Sequence, residues 1–218
     1  MLAEPISAAR SARVAGLYAV TPDERDTAVL VAKIVAAVDG GATIVQYRNK
    51  TLDPRTRRAQ AQALASTKAI RRALFIVNDD AIFARDLDAD GVHLGEDDGD
   101  VAKARACIGR DRIIGVSCYD DVDRARAAVA AGADYVAFGS FFTSTIKPGA
   151  RRASVDLLAQ ARALGVRVVA IGGITAANAS ALIDAGADAV AVISDVFAHD
   201  DPAEVQRAAA AIARQFRR

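Results

Sequence analysis

The sequence predicts one α/β domain, a (β/α)8 TIM barrel, from three observations. First, short continuous apolar runs recur and stop on polar residues. Ile44-Val45 leads into Gln46-Tyr47-Arg48-Asn49-Lys50, Phe75-Ile76-Val77 into Asn78-Asp79-Asp80, and Val168-Val169-Ala170-Ile171 into Gly172-Gly173. Unbroken apolar runs, rather than alternating ones, are what strands buried on both faces require. Second, a small-residue turn precedes several runs: Gly40-Gly41-Ala42-Thr43, Ala131-Gly132-Ala133-Asp134 and Ala185-Gly186-Ala187-Asp188. Glycine there suits the left-handed position after a helix end. Third, about eight strand–helix units fit the 218 residues without a linker or a break in composition. A doubly wound open sheet is the alternative.

Taken in order, the strands are expected near 14–20, 43–48, 74–78, 91–94, 113–117, 135–139, 166–171 and 189–193. Residues 1–13 read as an N-terminal extension and 14–218 as the barrel domain. Thr21-Pro22-Asp23-Glu24 has the spacing of a capping box with proline at the first helical position. Asp53-Pro54 and Asp201-Pro202 repeat the Asp-Pro start. The stretches 61–72 and 203–214, rich in Ala, Arg and Leu, are good helix formers.

Composition excludes several functional classes. A formal net charge of +1 gives no bulk attraction to nucleic acid or acidic membranes. Aromatic residues make up 5% of the chain, too few for base-stacking platforms. No apolar run approaches the roughly 20 residues that span a bilayer. Cys107 and Cys118 lack metal-ligand spacing and read as reduced thiols of a cytoplasmic protein. His93 and His199 do not make a zinc site alone; His93 reads as a core histidine and His199 as a solvated one.

In a barrel the strand C-termini share one mouth. Gly172-Gly173-Ile174-Thr175 follows the seventh strand and is expected to open a helix, so its backbone N–H groups suit an anion. Ile193-Ser194-Asp195 follows the eighth strand and completes that pocket. Asp79 ends the third strand, and Glu96, Asp97 and Asp98 follow the fourth. Neighbouring strands lie about 5 Å apart, so these acids reach a common ion, and oxygen-only ligands suit Mg²⁺. Gln46, Arg48 and Lys50 alternate and therefore share one face, while Lys147 lies in the segment after the sixth strand. A guanidinium and ammonium groups beside Mg²⁺ are what a diphosphate requires. A monophosphate pocket next to a diphosphate zone points to a transfer reaction with diphosphate as leaving group.

The ordered set Gln46-Tyr47-Arg48-Asn49-Lys50, Val77-Asn78-Asp79-Asp80, Gly91-Val92-His93-Leu94-Gly95, Gly115-Val116-Ser117, Ile171-Gly172-Gly173-Ile174-Thr175 and Val192-Ile193-Ser194 resembles the thiamine phosphate synthase family. That resemblance implies a Mg²⁺-dependent transferase joining hydroxymethylpyrimidine diphosphate to thiazole phosphate, with dissociative loss of diphosphate. It implies substrate-binding roles for Gln46, Tyr47, Arg48, Asn49, Lys50, Asn78 and Ser117, and for Gly172, Gly173, Ile193 and Ser194 at the thiazole phosphate. Arg48, Lys50, Ser117 and Lys147 are the implied catalytic residues, with Asp79 and Asp98 ligating the metal. Where the family has Thr-x-Thr-Lys, this chain has Ser144-Thr145-Ile146-Lys147, to which the resemblance also gives substrate-binding roles, and Ile146 donates no hydrogen bond. A one-residue shift would use Thr143 and Thr145 instead. The expected partners are small molecules, with neither nucleic acid nor membrane. A homo-oligomer is left open. Two rival readings share the fold: a thiazole tautomerase-like isomerase and a non-catalytic phosphometabolite-binding barrel. The tautomerase carries a catalytic histidine after its Gly-Val-Ser run, where this chain has Tyr119.

Overall fold

A computed structural model describes residues 11–143 and 151–217. Eight parallel strands close into a barrel in sequence order: β1 (Gly16–Val20), β2 (Ala42–Tyr47), β3 (Leu74–Asn78), β4 (Gly91–Leu94), β5 (Ile113–Tyr119), β6 (Tyr135–Phe138), β7 (Arg167–Ile171) and β8 (Ala189–Val192). Closure is made by β8 on β1, with Leu17 beside Val190 and Ala19 beside Val192. A closed ring excludes the open sheet.

Helices follow the strands: α1 (Thr27–Asp39), α2 (Pro54–Ala65), α3 (Ala81–Asp86), α4 (Val101–Ile108), α5 (Val122–Ala130), α6 (Asp156–Arg162), α7 (Ala179–Asp184), α8 (Ser194–Phe197) and α9 (Pro202–Ala213). Asp53 and Asp201 cap α2 and α9 as their Asp-Pro pairs predict. The first start differs. The cap of α1 is Asp26, whose carboxylate accepts from the Ala28 and Val29 amides. The Thr21 hydroxyl is instead taken by the end of β2, donating to the Arg48 carbonyl at 2.6 Å and accepting from its amide at 2.8 Å. Asp23 is taken by the Arg48 side chain. Long-range partners at the mouth thus outcompete the local capping box. The helix expected directly after Gly172-Gly173-Ile174-Thr175 begins only at Ala179.

Each strand has two buried faces. Outward residues such as Leu17, Val45, Phe75, Val92, Ile114, Val136, Val168 and Val190 pack under the helices in one large cluster. Inward residues such as Tyr18, Ile44, Ile76, Ile113, Tyr135 and Val169 form a second, smaller cluster inside the barrel. Double-sided burial is the physical reason the strands read as continuous apolar runs. One glycine shapes the interior. A Cβ on Gly115 would lie 1.9 Å from Cζ of Tyr135, so the missing side chain is what lets that ring cross the barrel axis.

Candidate active site

The strand C-termini surround a cavity of about 670 Å³. Its walls include Gln46, Arg48, Lys50, Asn78, Asp79 and Asp98 on one side, and Gly172, Gly173, Ile193 and Ser194 on the other. Ser117 lies on the same surface. Tyr47 and Asn49 face away. The Tyr47 hydroxyl donates to the Arg57 carbonyl at 2.9 Å and also meets Gln60, in the helix layer. Asn49 is buried, donates to the Glu24 carbonyl and accepts from the Thr51 and Leu52 amides, so it fixes the loop that carries Lys50. The odd–even alternation of β2 continued past its end explains both. Ser144, Thr145, Ile146 and Lys147 lie outside the described residues. Thr143 lines the cavity, and its hydroxyl accepts from Arg152 at 2.8 Å.

The β2–β4 side is charged. Arg48 Nη1 lies 3.1 and 3.2 Å from the two oxygens of Asp23, and the same carboxylate accepts from the Lys50 amide at 2.7 Å. Asp23 thereby aims the Arg48 guanidinium and pins the Lys50 backbone. Asp79 has a left-handed backbone, φ 69°, which turns its carboxylate into the mouth at the end of β3. Its amide donates to the His93 carbonyl at 2.7 Å, which holds that turn. Lys50 Nζ stands 3.5 Å from Asp79. Burial, together with the neighbouring Asp98 carboxylate, pushes the Asp79 carboxyl up to about 6, against the opposing pull of Lys50. Asp98 accepts from the Gly95 amide at 2.8 Å, and a Cβ on Gly95 would intrude on it at 2.5 Å. Asp100 turns away to cap α4.

Two facing carboxylates that repel one another form a donor set for a hard cation. Among the described residues no group of three or more His, Cys, Asp or Glu side chains is poised to hold a metal. A pair of carboxylates on an open cavity wall is a donor set of the kind Mg²⁺ accepts, since that ion takes one or two carboxylates and completes its shell with water and substrate oxygens.

The β7–β8 side uses backbone. Gly172 and Gly173 have φ of 105° and 63°. A Cβ on Gly172 would fall 2.2 Å from the Ser140 hydroxyl, and one on Gly173 would fall 2.3 Å from the Thr143 carbonyl. Asp195 ties the two loops by accepting from the Ala176 amide at 2.9 Å.

Beneath the mouth lies a feature that sequence reasoning missed. His93 is buried with Nδ1 at 2.9 Å from the Tyr135 hydroxyl and Nε2 at 2.9 Å from Ser117 Oγ. Tyr135 meets the Tyr18 hydroxyl at 2.8 Å, and the Gln46 amide nitrogen donates to Tyr18 at 2.7 Å. Burial lowers the His93 imidazole to about 4, against the weak pull of Asp98, and raises both phenols. Ser117 does have a histidine partner, separated by 24 residues in sequence. The signal was available in the register: His93 pairs with Gly115, so residue 117 is the next inward position on the adjacent strand. His199 lines the cavity as well, with Nδ1 3.5 Å from Glu204. Tyr119 also lines it, flanked by the guanidinium groups of Arg124 and Arg151.

Comparison with known proteins bears on this cavity. Residues 17–196 match the family model described as thiamine monophosphate synthase. The chain belongs to that family of enzymes. It is 54% identical over 198 residues to a thiamine-phosphate synthase of Chromobacterium violaceum, covering 91% of this chain and 96% of that protein. A thiamine-phosphate synthase of Azoarcus sp. is also 54% identical, over 199 residues, with 91% and 96% covered. A solved structure, the thiamine phosphate pyrophosphorylase from Pyrococcus furiosus, superposes with a TM-score of 0.82 at 31% identity, covering 95% of this chain and 98% of that one. The synthase family thus accounts for nearly the whole barrel. No helix among the described residues is long and apolar enough to cross a membrane.

Proposed function

We propose that the chain condenses hydroxymethylpyrimidine diphosphate with thiazole phosphate, giving thiamine phosphate and diphosphate. The observation that carries this reading is the paired arrangement of one cavity: cations and two carboxylates at one end, a glycine-lined backbone pocket at the other. In the reaction the bond from the pyrimidine methylene carbon to the diphosphate oxygen breaks, and a bond from that carbon to the thiazole nitrogen forms. The diphosphate leaves with the electron pair.

Arg48 and Lys50 stand where the departing diphosphate gathers charge, and Asp23 fixes Arg48 before the substrate arrives. Preoriented charge of this kind costs no reorganisation during the reaction. Mg²⁺ held by Asp79 and Asp98 would add positive charge beside the diphosphate oxygens. Gln46, Asn78 and Ser117 hold the pyrimidine end. Gly173 and Ser194 hold the thiazole phosphate, so the nucleophilic nitrogen waits within reach of the forming cation. Nothing in this scheme calls for a general base, which agrees with a buried neutral His93.

The test is a diphosphate-release assay with both substrates, with either one alone, and with or without chelator. Release only with both substrates and added Mg²⁺ supports the transferase. Release without the thiazole phosphate, or turnover indifferent to chelator, counts against it. Proton exchange at the thiazole ring without condensation would favour the tautomerase, and tight binding without turnover the non-catalytic barrel.

A further inference from the structure

The buried groups Gln46, Tyr18, Tyr135, His93 and Ser117 form one uninterrupted hydrogen-bonded chain across the barrel interior, of which only the two ends reach the cavity. Each middle group has one hydrogen to give when the imidazole is neutral, and each has one neighbour on either side. Such a chain has two fully satisfied states. In the forward state the Gln46 amide N–H donates to Tyr18, Tyr18 to Tyr135, Tyr135 to His93 Nδ1, and His93 Nε2–H to Ser117. In the reverse state every hydrogen points the other way, which turns the Gln46 amide around and makes Ser117 donate to His93. A mixed state leaves a buried group without a partner, which a low-dielectric interior penalises.

Resting on the reading above, we infer that Tyr18, Tyr135 and His93 are positioning residues that couple Gln46 to Ser117, so that both ends recognise the heterocycle as one unit. The forward state, with the Gln46 amide nitrogen on Tyr18, leaves the Gln46 amide oxygen as an acceptor and the Ser117 hydroxyl as a donor towards the cavity. A ring bearing an amino group at one end and an unprotonated nitrogen at the other matches both ends. An oxo group in place of the amino group sets two acceptors against each other at the Gln46 amide oxygen, and turning the amide to relieve that clash reverses all five groups. Discrimination therefore does not reside in Gln46 alone. It is transmitted through the tyrosines from the opposite wall.

The experiment has two arms. The first needs no substrate: ¹⁵N NMR of the histidine-labelled full chain, which holds two histidines, with His93→Asn to assign His93. The expected result is a single neutral tautomer of His93 with hydrogen on Nε2, and loss of that single form in Tyr135→Phe. The second arm compares kcat/KM for the amino-substituted diphosphate and its oxo analogue. Tyr135→Phe, which keeps the ring, is expected to reduce the ratio at least tenfold while leaving KM for the thiazole phosphate unchanged. Tyr18→Phe, which cuts the chain one bond earlier, is expected to reduce the ratio too and serves if Tyr135→Phe folds poorly. A wild-type His93 with hydrogen on Nδ1, or on both nitrogens, overturns the inference. So does an unchanged ratio in a folded variant. Absence of turnover in the wild type would refute the proposed reaction while the tautomer result still stood or fell by itself.

Discussion

On the β2–β4 side of the cavity the wall is made of long charged side chains, each aimed by another: Asp23 behind Arg48, Lys50 beside Asp79, the Gly95 amide under Asp98. On the β7–β8 side glycines in left-handed conformations and loop backbone stand beside shorter side chains such as Ser194 and Thr175. The contrast follows from what each side is proposed to hold. A group that leaves accumulates charge during the reaction, so it calls for countercharge already oriented towards it. A group that only anchors keeps constant charge, so rigid N–H dipoles suffice. The first side is therefore broken by removing charge, the second by adding volume.

The largest effect is expected from Arg48→Ala. It should lower kcat/KM for the diphosphate substrate by roughly 10²–10³ with KM for the thiazole phosphate unchanged, the range for removing one preorganised charged donor. Steady-state kinetics with each substrate varied in turn checks this. Next comes Asp79→Asn, expected to weaken Mg²⁺ binding by at least about tenfold in calorimetric titration. The same substitution sharpens an electrostatic point. An unfolded aspartate ionises near 3.8, whereas folded Asp79 holds its proton to about 6. Its contribution to stability is therefore complete below the lower value and is lost as pH rises through the upper one. Metal-free Asp79→Asn should melt higher than the wild type above pH 6, and the difference should vanish near pH 4. Wild-type affinity for Mg²⁺ should weaken about tenfold per pH unit below 6, because the proton and the metal compete for the same carboxylate.

Gly173→Ala should act on the other side alone. It should raise KM for the thiazole phosphate by about tenfold and lower the melting temperature. A left-handed alanine costs about 1–2 kcal/mol, to which the approach to the Thr143 carbonyl adds. A matching rise in KM for the diphosphate substrate would dissolve the distinction between the two sides. The smallest effect is expected from Tyr47→Phe, whose hydroxyl serves the helix layer. Its kcat/KM should stay within about twofold of the wild type, with only a modest loss of melting temperature.

Much of this architecture was legible from the chain. Asp53 and Asp201 cap helices where their proline neighbours announced them, and the strands were found because burial on both faces leaves an unbroken apolar run. Local chemistry failed where distant residues intervened. Thr21 and Asp23 have the form of a capping box but are claimed by Arg48, 27 and 25 residues away. The Tyr18–Tyr135 bond joins residues 117 positions apart, and no periodicity in either strand hints that the hydroxyls meet. Tyr47 and Asn49 lie within the most informative motif of the sequence, and alternation alone decides that they serve the scaffold.

The slot left open by Gly115 has a practical corollary. Tyr135 fills the barrel axis beneath the cavity, one layer below the wall residues Gln46 and Ser117, so a single phenol closes off the interior there. Shortening that residue to leucine or alanine would dig a shaft down the barrel axis, at the expense of rigidity. Engineers seeking to admit rings with bulkier substituents have a defined place to excavate, with the anchoring loops above left untouched.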